Sequence, residues 1–148
     1  ESMCIIEYFE ERFPDLPRLM PTDLYQKYQV RRLAEHCNCL VQPMANLGVL
    51  QEVEARFGKD ARQPWGESFD RKNMGLFEAH IEKTRGKFCF GDEVTIADLF
   101  MLPQMYRCTR FDIDLKEAFP NTFEIHERLQ ELDFVKKSHA HACSDATL

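Results

Sequence analysis

A capping box followed by an apolar helical pattern constrains the fold more than any other feature of this sequence. The Thr95 hydroxyl can accept the backbone N–H of Asp98, and the Asp98 carboxylate can accept the backbone N–H of Thr95. The helix that begins here is apolar on nearly every side, with Ile96, Ala97, Leu99, Phe100, Met101, Leu102 and Met105. Because an all-round apolar helix is buried, we predict that other helices surround it. Asp98 is then a capping acid and not a catalytic one.

Helical periodicity extends over most of the remaining sequence. It predicts an amphipathic helix over 2–12, one long helix over 22–57 that is kinked at Pro43, and helices that begin near Pro64 and Pro120. The predicted core-facing positions include Met3, Ile6, Phe9 or Phe13, Leu24, Tyr28, Val30, Leu33, Leu40 and Leu76. No strand pattern appears. We therefore predict an all-α domain of five or six helices in an up-and-down array.

Length and composition exclude several classes of protein. A chain of 148 residues can bury a substantial core. Its net charge of −6 argues against charge-driven binding to nucleic acid or to an anionic membrane. No apolar run approaches the ~20 residues that span a bilayer, and the start lacks a secretory signal pattern. The six cysteines fall mostly within predicted helices, so we expect reduced thiols in a cytoplasmic protein.

Several strings carry a resemblance to a known family. They are SMCIIEYFEE at 2–11, VQPMANL at 41–47, GKFCFGDEVTIADL at 86–99, Pro103-Gln104, Arg110-Phe111 and Asp114-Leu115. In this order the chain resembles the zeta class of glutathione transferases, the maleylacetoacetate isomerases, along essentially its whole length. The Q-P-x-x-N-L and R-F-x-x-D-L patterns are the specific signals, since the T-x-x-D box occurs in many transferase classes. Ala45, where the family often has a second amide, and the tail both depart from the family pattern.

The resemblance implies a domain organisation. Members of the family begin with a thioredoxin-like domain that holds most of glutathione, and an all-helical domain follows. Residues 1–13 would be the last helix of a truncated thioredoxin-like domain, 14–21 a proline-rich linker, and 22–148 the all-helical C-terminal domain. Because the chain lacks an initiating Met and begins within a helix, we expect it to be part of a longer protein. The thiol-activating motif would lie upstream, so we expect no catalytic residue within this chain.

The resemblance also implies binding residues. Those expected to contact the cofactor, glutathione, are Glu1, Ser2, Gln42, Asn46, Leu47 and Gly48. Arg110 would hold a carboxylate of a dicarboxylate substrate, because a guanidinium binds carboxylate in a two-pronged fork.

Each of these residues also has a plainer interpretation. Ser2 is a possible helix N-cap, and Glu1 a charge that complements the helix dipole. Gln42 and Asn46 share a helix face and could satisfy the kinked backbone instead. Arg110 could pair with Asp112 or Asp114, or it could complement the helix dipole at the C-terminus of the apolar helix.

Other polar residues receive structural interpretations. We expect Arg31, Arg32 and Arg107 to be solvated or ion-paired, and Trp65 to pack in the core. Side chains one and two apart on a helix point in different directions, so His36, Cys37 and Cys39 cannot jointly bind a metal. The tail residues His139, His141 and Cys143 have a metal-like spacing, but we predict no metal site.

Two functions from different classes fit these observations. The first is a glutathione-dependent isomerase of tyrosine and phenylalanine catabolism, which would be a homodimer with further activity on α-halo acids. This chain would be one part of that enzyme and inactive by itself. The alternative is a glutathione-transferase-like module that only dimerises or docks. The specific strings favour the enzyme, because a docking module has no need of them.

Overall fold

In a computed structural model, which describes residues 1–139 and 142, the chain is built from helices. They are α1 (Ser2–Arg12), α2 (Leu24–Glu35), α3 (Leu47–Phe57), α4 (Arg62–Ile81), α5 (Ile96–Thr109), α6 (Leu115–Ala118), α7 (Pro120–Gln130) and α8 (Asp133–Ser138). Within the described ranges no β-strand forms, and an isolated bridge joins Arg85 to Gly91. The predicted all-α fold is confirmed, although the described residues form eight α-helices where five or six were predicted.

Helix α5 lies at the centre of the domain. It contacts α2, α6 and α7. The fully buried apolar residues of α5 are Ile96, Ala97, Met101, Met105 and Cys108. The predicted burial of this helix is confirmed, although Leu99 and Leu102 are only half-buried. Gln104 is buried as well, which its polarity did not suggest.

Both hydrogen bonds of the predicted capping box are present at the start of α5. The Thr95 backbone N–H donates to Asp98 Oδ2 at 2.8 Å, and the Thr95 hydroxyl donates to the same oxygen at 3.0 Å. The second carboxylate oxygen, Oδ1, accepts the backbone N–H of Cys89 at 2.8 Å. Asp98 is fully buried, so its carboxylate ties the loop before the helix to the helix itself.

The predicted single helix over 22–57 is wrong. Asp23 caps α2 by accepting the Gln26 backbone N–H at 2.9 Å. A π turn (His36–Val41) and a 3-10 turn (Gln42–Ala45) then follow, and Asn46 is extended with φ −62° and ψ 147° before α3 begins. Pro43 lacks an N–H and cannot continue the α-helical ladder. A kink alone does not accommodate it, and the chain forms two helices joined by an irregular segment.

Several apolar residues predicted to face the core are exposed. They are Phe9, Phe13, Leu24, Tyr28, Leu40 and Leu76. In α1 only Met3 is buried, and in α2 only Val30, Leu33 and Ala34 are. Helical spacing identifies a stripe along a helix, whereas burial requires a neighbouring element over that part of the stripe. Those neighbours cover only the second half of α2.

Helix α4 packs along one side of the domain. With 20 residues it is the longest described helix. Its buried positions are Gly66, Asp70, Met74, Phe77 and Ile81, which recur at intervals of three and four. Among the described residues, no helix combines the length and the hydropathy needed to cross a membrane.

Candidate functional site

A cavity of about 560 Å³ opens between the irregular segment, the start of α4 and the end of α5. Its lining residues are Ala45, Leu47, Leu50, Lys59, Arg62, Gln63, Arg107, Arg110 and Phe111. The apolar residues come from 45–50 and from Phe111, whereas the cations come from both sides. The cavity therefore has apolar walls and a positively charged rim, and this combination suits a small organic anion.

Two of the four cations that line the cavity make no ion pair with any residue that the structure describes. Arg62 Nη1 lies 3.5 Å from Glu54 Oε2, and Arg107 pairs with Asp70. Within the part of the chain that the structure describes, the side chains of Lys59 and Arg110 form neither a hydrogen bond nor an ion pair. Since no carboxylate lines the cavity, these two charges remain available to a ligand.

Arg110 does not make the alternative ion pairs considered from the sequence. Asp112 instead accepts a hydrogen bond from the Gln63 side chain at 3.2 Å. Asp114 caps α6 by accepting the Glu117 backbone N–H at 3.0 Å. Arg110 directly follows α5, so its exposed side chain extends from the end of the central helix at the cavity.

Gln42 and Asn46 contact each other as their spacing suggested. Gln42 Nε2 donates to Asn46 Oδ1 at 2.8 Å, and Gln42 Oε1 accepts from Gln104 Nε2 at 2.8 Å. We refer to Gln104, Gln42 and Asn46 as the amide row. The row runs from the buried centre of α5 to the exposed residue Asn46, whose neighbour Leu47 lines the cavity.

Other side chains satisfy the irregular backbone beside the amide row. Arg107 Nη2 donates to the carbonyl oxygen of Val41 and Arg107 Nη1 to that of Gln42, both at 3.2 Å. Trp65 Nε1 donates to the carbonyl oxygen of Met44 at 2.9 Å. Trp65 is half-buried and its ring packs on Phe69 at 4.7 Å between centroids. The side chains of Gln42 and Asn46 are therefore not needed as hydrogen-bond partners for these backbone carbonyl groups.

The remaining predicted binding residues lie outside this cavity. Glu1 is the N-cap of α1 and makes no side-chain capping bond, while Ser2 is the first residue of that helix, so Ser2 is not the N-cap. Both residues are exposed, and neither lines the cavity. Gly48 lines a separate, more open depression together with Val49, Val53 and Phe57. The structure thus brings Leu47 and Arg110 together beside the amide row, but leaves Glu1, Ser2 and Gly48 apart from them.

Comparison with known proteins identifies the family. Residues 50–138 match the sequence profile of the glutathione S-transferase C-terminal domain. The chain belongs to this family. A maleylacetoacetate isomerase of Rattus norvegicus is 34% identical over 139 residues, which are 94% of this chain and 62% of that protein. A zeta-class glutathione S-transferase of Euphorbia esula is 32% identical over 133 residues, 89% of this chain and 58% of that protein. The chain thus spans about three fifths of the length of these curated relatives.

A solved structure supports the same assignment for this glutathione S-transferase domain. Maleylacetoacetate isomerase from Anaeromyxobacter dehalogenans superimposes with a TM-score of 0.94 at 34% identity, covering 99% of this chain and 67% of that one, with glutathione bound in its active site. Another structure of that protein holds dicarboxyethyl glutathione and citrate. The resemblance to the zeta class that the sequence suggested is confirmed.

The partner of Arg107 in this glutathione S-transferase domain, Asp70, was not identified from the sequence. Arg107 Nε donates to Asp70 Oδ2 at 3.1 Å, and Arg107 Nη2 donates to Asp70 Oδ1. The two side chains are 13% and 1% exposed, so Arg107 is ion-paired, which is one of the two interpretations expected from the sequence. Burial raises the pKa of the Asp70 carboxyl, and the Arg107 guanidinium opposes that shift. An acid on the apolar stripe of α4 is the signal that could have revealed the pair.

The buried cysteine thiols of the domain are not suited to act as nucleophiles. The five described cysteines are free, and three of them, Cys37, Cys89 and Cys108, are buried. Burial raises the pKa of the Cys108 thiol to about 12, and the nearby Asp70 carboxylate adds to that effect. These buried thiols stay protonated and are poor nucleophiles.

No group of three or more metal-ligating side chains occurs in 1–139 or at 142. The predicted separation of His36, Cys37 and Cys39 agrees with their contacts: His36 Nε2 lies 2.8 Å from the Asn73 carbonyl oxygen, Cys37 is buried, and Cys39 is exposed. Of the tail residues considered for a metal site, His141 and Cys143 lie outside the described residues.

Proposed function

We propose that the natural protein containing this chain is a glutathione-dependent cis–trans isomerase that converts maleylacetoacetate to fumarylacetoacetate. The observation that carries the proposal is the Arg110 guanidinium, which has no ion-pair partner among the described residues and lines an apolar-walled cavity beside the amide row. Names of the relatives support the same chemistry. We also propose the associated properties: a cytoplasmic homodimer, a role in tyrosine and phenylalanine catabolism, and secondary transfer of glutathione to α-halo acids.

The residues beside the cavity fit glutathione as a cofactor. Asn46 is exposed, and its amide nitrogen makes no hydrogen bond within the described part of the chain, so it can donate to a peptide carbonyl or a carboxylate. We propose that Gln42, Asn46, Leu47 and Gly48 form one part of the glutathione site. Glu1 and Ser2 would form another part at the start of α1, where backbone N–H groups favour a carboxylate.

Bound glutathione would supply a thiolate that adds to the cis double bond, permits rotation about the resulting single bond, and leaves as the trans isomer forms. This chain would supply orientation and electrostatic complementarity. Arg110 would hold one carboxylate of the substrate, and Lys59 provides a second unpaired cation at the same cavity. Leu47, Leu50 and Phe111 would exclude water from the enclosed part of the substrate.

The domain organisation belongs to the same proposal. Residues 1–13 would be the last helix of a thioredoxin-like domain, 14–21 the linker, and 22–148 the helical domain. The support is that α1 leaves Ile5, Tyr8 and Phe9 exposed and buries only Met3 against the rest of this chain. A further domain would cover those apolar side chains.

The deciding experiment is to replace Arg110 with Ala in the natural full-length protein. Loss of a hydrogen bond to a charged group costs about 1.5–3 kcal/mol, so kcat/KM for the dicarboxylate should fall roughly 10- to 100-fold. The KM for glutathione should not change. Arg71→Ala is the matched control, because Arg71 pairs with Glu67 at 2.8 Å on α4 and does not line the cavity. Normal kinetics in Arg110→Ala would remove Arg110 from the site.

Calorimetry with glutathione separates the enzyme from the docking module. We expect the natural full-length protein to bind glutathione and this 148-residue chain alone not to bind it. If the full-length protein also fails to bind, the fold has been kept without the chemistry. The protein would then be a non-catalytic module that dimerises or docks.

A further inference from the structure

The Arg107–Asp70 pair differs from the other arginine ion pairs because its guanidinium also donates to two backbone carbonyl groups of the irregular segment. The guanidinium donates to both oxygens of Asp70 and also to the carbonyl oxygens of Val41 and Gln42. Four of its five N–H groups are therefore used, and they join three separate parts of the chain: α4, α5 and the irregular segment. A flexible surface ion pair has no comparable geometry.

The carbonyl groups that accept hydrogen bonds from Arg107 lie in the irregular segment between α2 and α3. Val41 ends the π turn and Gln42 begins the 3-10 turn, next to Pro43, which has no N–H to donate. Val41 is buried, whereas the contact of Arg107 with the Gln42 carbonyl is exposed. Arg107 supplies a donor to each carbonyl from a position 65 and 66 residues further along the chain.

The same backbone carries the amide row. Gln42 is held at its carbonyl oxygen by Arg107 and at its side-chain oxygen by Gln104, and it donates to Asn46. With its backbone and its side chain both restrained, Gln42 fixes the orientation of the Asn46 amide. The free amide nitrogen of Asn46 is the group that we assign to glutathione.

Burial makes the Arg107–Asp70 pair rigid. Its side chains are 13% and 1% exposed, compared with 48% and 37% in the surface pair of Arg31 with Glu7. Charges that are removed from water interact strongly and are screened little by salt. A shift of either helix would therefore be transmitted to the 41–46 backbone.

We propose that Arg107, oriented by Asp70, is a positioning residue for cofactor binding, which holds the 41–46 backbone so that the amide row presents Asn46 to glutathione. The inference rests on the proposed glutathione site. Arg107 acts through the Gln42 backbone and through Asn46, and needs no contact with the substrate.

The test uses a neutral double variant, Asp70→Asn with Arg107→Met, in the natural full-length protein. Arg107→Met alone would leave an unpaired buried carboxylate, which is strongly destabilising. The double variant removes both charges and also removes the donors to the two carbonyls. We expect the KM for glutathione to rise roughly tenfold with kcat nearly unchanged, the pattern of a lost ground-state contact. Arg107→Lys keeps the charge but has one nitrogen in place of the fork, and should give a smaller rise.

Arg71→Met is the matched control, because it breaks an arginine–glutamate pair within α4 that does not reach the irregular segment. Its KM for glutathione should equal that of the unaltered protein. If the folded double variant and Arg107→Lys both keep the original KM, Arg107 is not a positioning residue.

Amide hydrogen exchange tests the positioning without relying on activity. In the double variant, exchange should accelerate at Asn46 and Leu50, whose N–H groups donate to the carbonyls of Pro43 and Asn46. It should not change in α7. Local acceleration in a protein that never binds glutathione would keep the structural link while refuting the proposed function. Uniform acceleration, or none at Asn46 and Leu50, would overturn the positioning role.

Discussion

Replacing Asp98 with Ala should be one of the most destabilising single substitutions in this domain. The carboxylate is fully buried and accepts three hydrogen bonds, from the Thr95 backbone N–H, the Thr95 hydroxyl and the Cys89 backbone N–H. The residues that donate are buried too: Thr95 is 5% exposed and Cys89 is 0% exposed. After the substitution, water cannot easily replace the lost acceptor.

The size of this loss of stability depends on how many buried donors lose their acceptor. Leaving one buried donor unsatisfied costs about 1–3 kcal/mol, and a typical exposed N-cap contributes only about 1 kcal/mol. With two buried backbone N–H groups and one hydroxyl affected, we expect Asp98→Ala to lower the free energy of unfolding by roughly 3–5 kcal/mol. For a chain of this size that corresponds to a fall in Tm of roughly 10 °C.

The assay is urea unfolding followed by circular dichroism, with Asp114→Ala as the control. Asp114 is an exposed N-cap that accepts a single hydrogen bond, from the Glu117 backbone N–H, so its loss should cost about 1 kcal/mol. Asp98→Asn keeps the shape and one acceptor oxygen, and should fall between the two. If Asp98→Ala costs no more than Asp114→Ala, then burial and the Cys89 bond do not contribute as argued.

Three further predictions follow from individual environments. Gly66→Ala should destabilise the domain by about 1–3 kcal/mol in urea unfolding and perturb the cavity, because a Cβ there would overlap the buried Phe111 ring; an unchanged stability would show that the ring moves freely. The Glu35 carboxylate accepts the Cys39 S–H and raises the pKa of that thiol, so Glu35→Gln should speed alkylation of Cys39 at pH 8, measured by mass spectrometry, and an unchanged rate would contradict this. Burial lowers the pKa of His126, so the unfolded state binds more protons below about pH 6.5. Stability should fall as the pH drops through that range, and by less in His126→Gln; equal pH dependence of Tm in both proteins would refute the assignment.

Features that depend on residues close together in the sequence were predictable. The capping box at Thr95 and Asp98 is one, because both of its hydrogen bonds join residues three apart. Gln42 and Asn46, which are four apart, do contact each other, but through a 3-10 turn and an extended residue and not through the α-helix face from which the spacing was argued. The burial of α5 followed from its composition alone, because no orientation of an all-round apolar helix keeps its side chains out of the core.

Predictions of burial and of backbone form were wrong or incomplete where they depended on a neighbouring element. Leu24 and Leu76 have core-like spacing but are exposed, because nothing in the described chain packs over them. Pro43 indicated an interruption in the long helix, but not its form. The π turn, the 3-10 turn and the extended Asn46 depend on outside donors, among them the Trp65 indole.

The sequence by itself determined most of the helical segments, where several helices begin, and which helix must be central, but not the break between α2 and α3. Only the tertiary structure decided which polar groups meet: Arg107 with Asp70, 37 residues apart, and Asp98 with the Cys89 backbone. The physical reason is that periodicity and capping express interactions within one or two helical turns. A polar contact between distant segments is fixed only when apolar burial has already set how those segments pack.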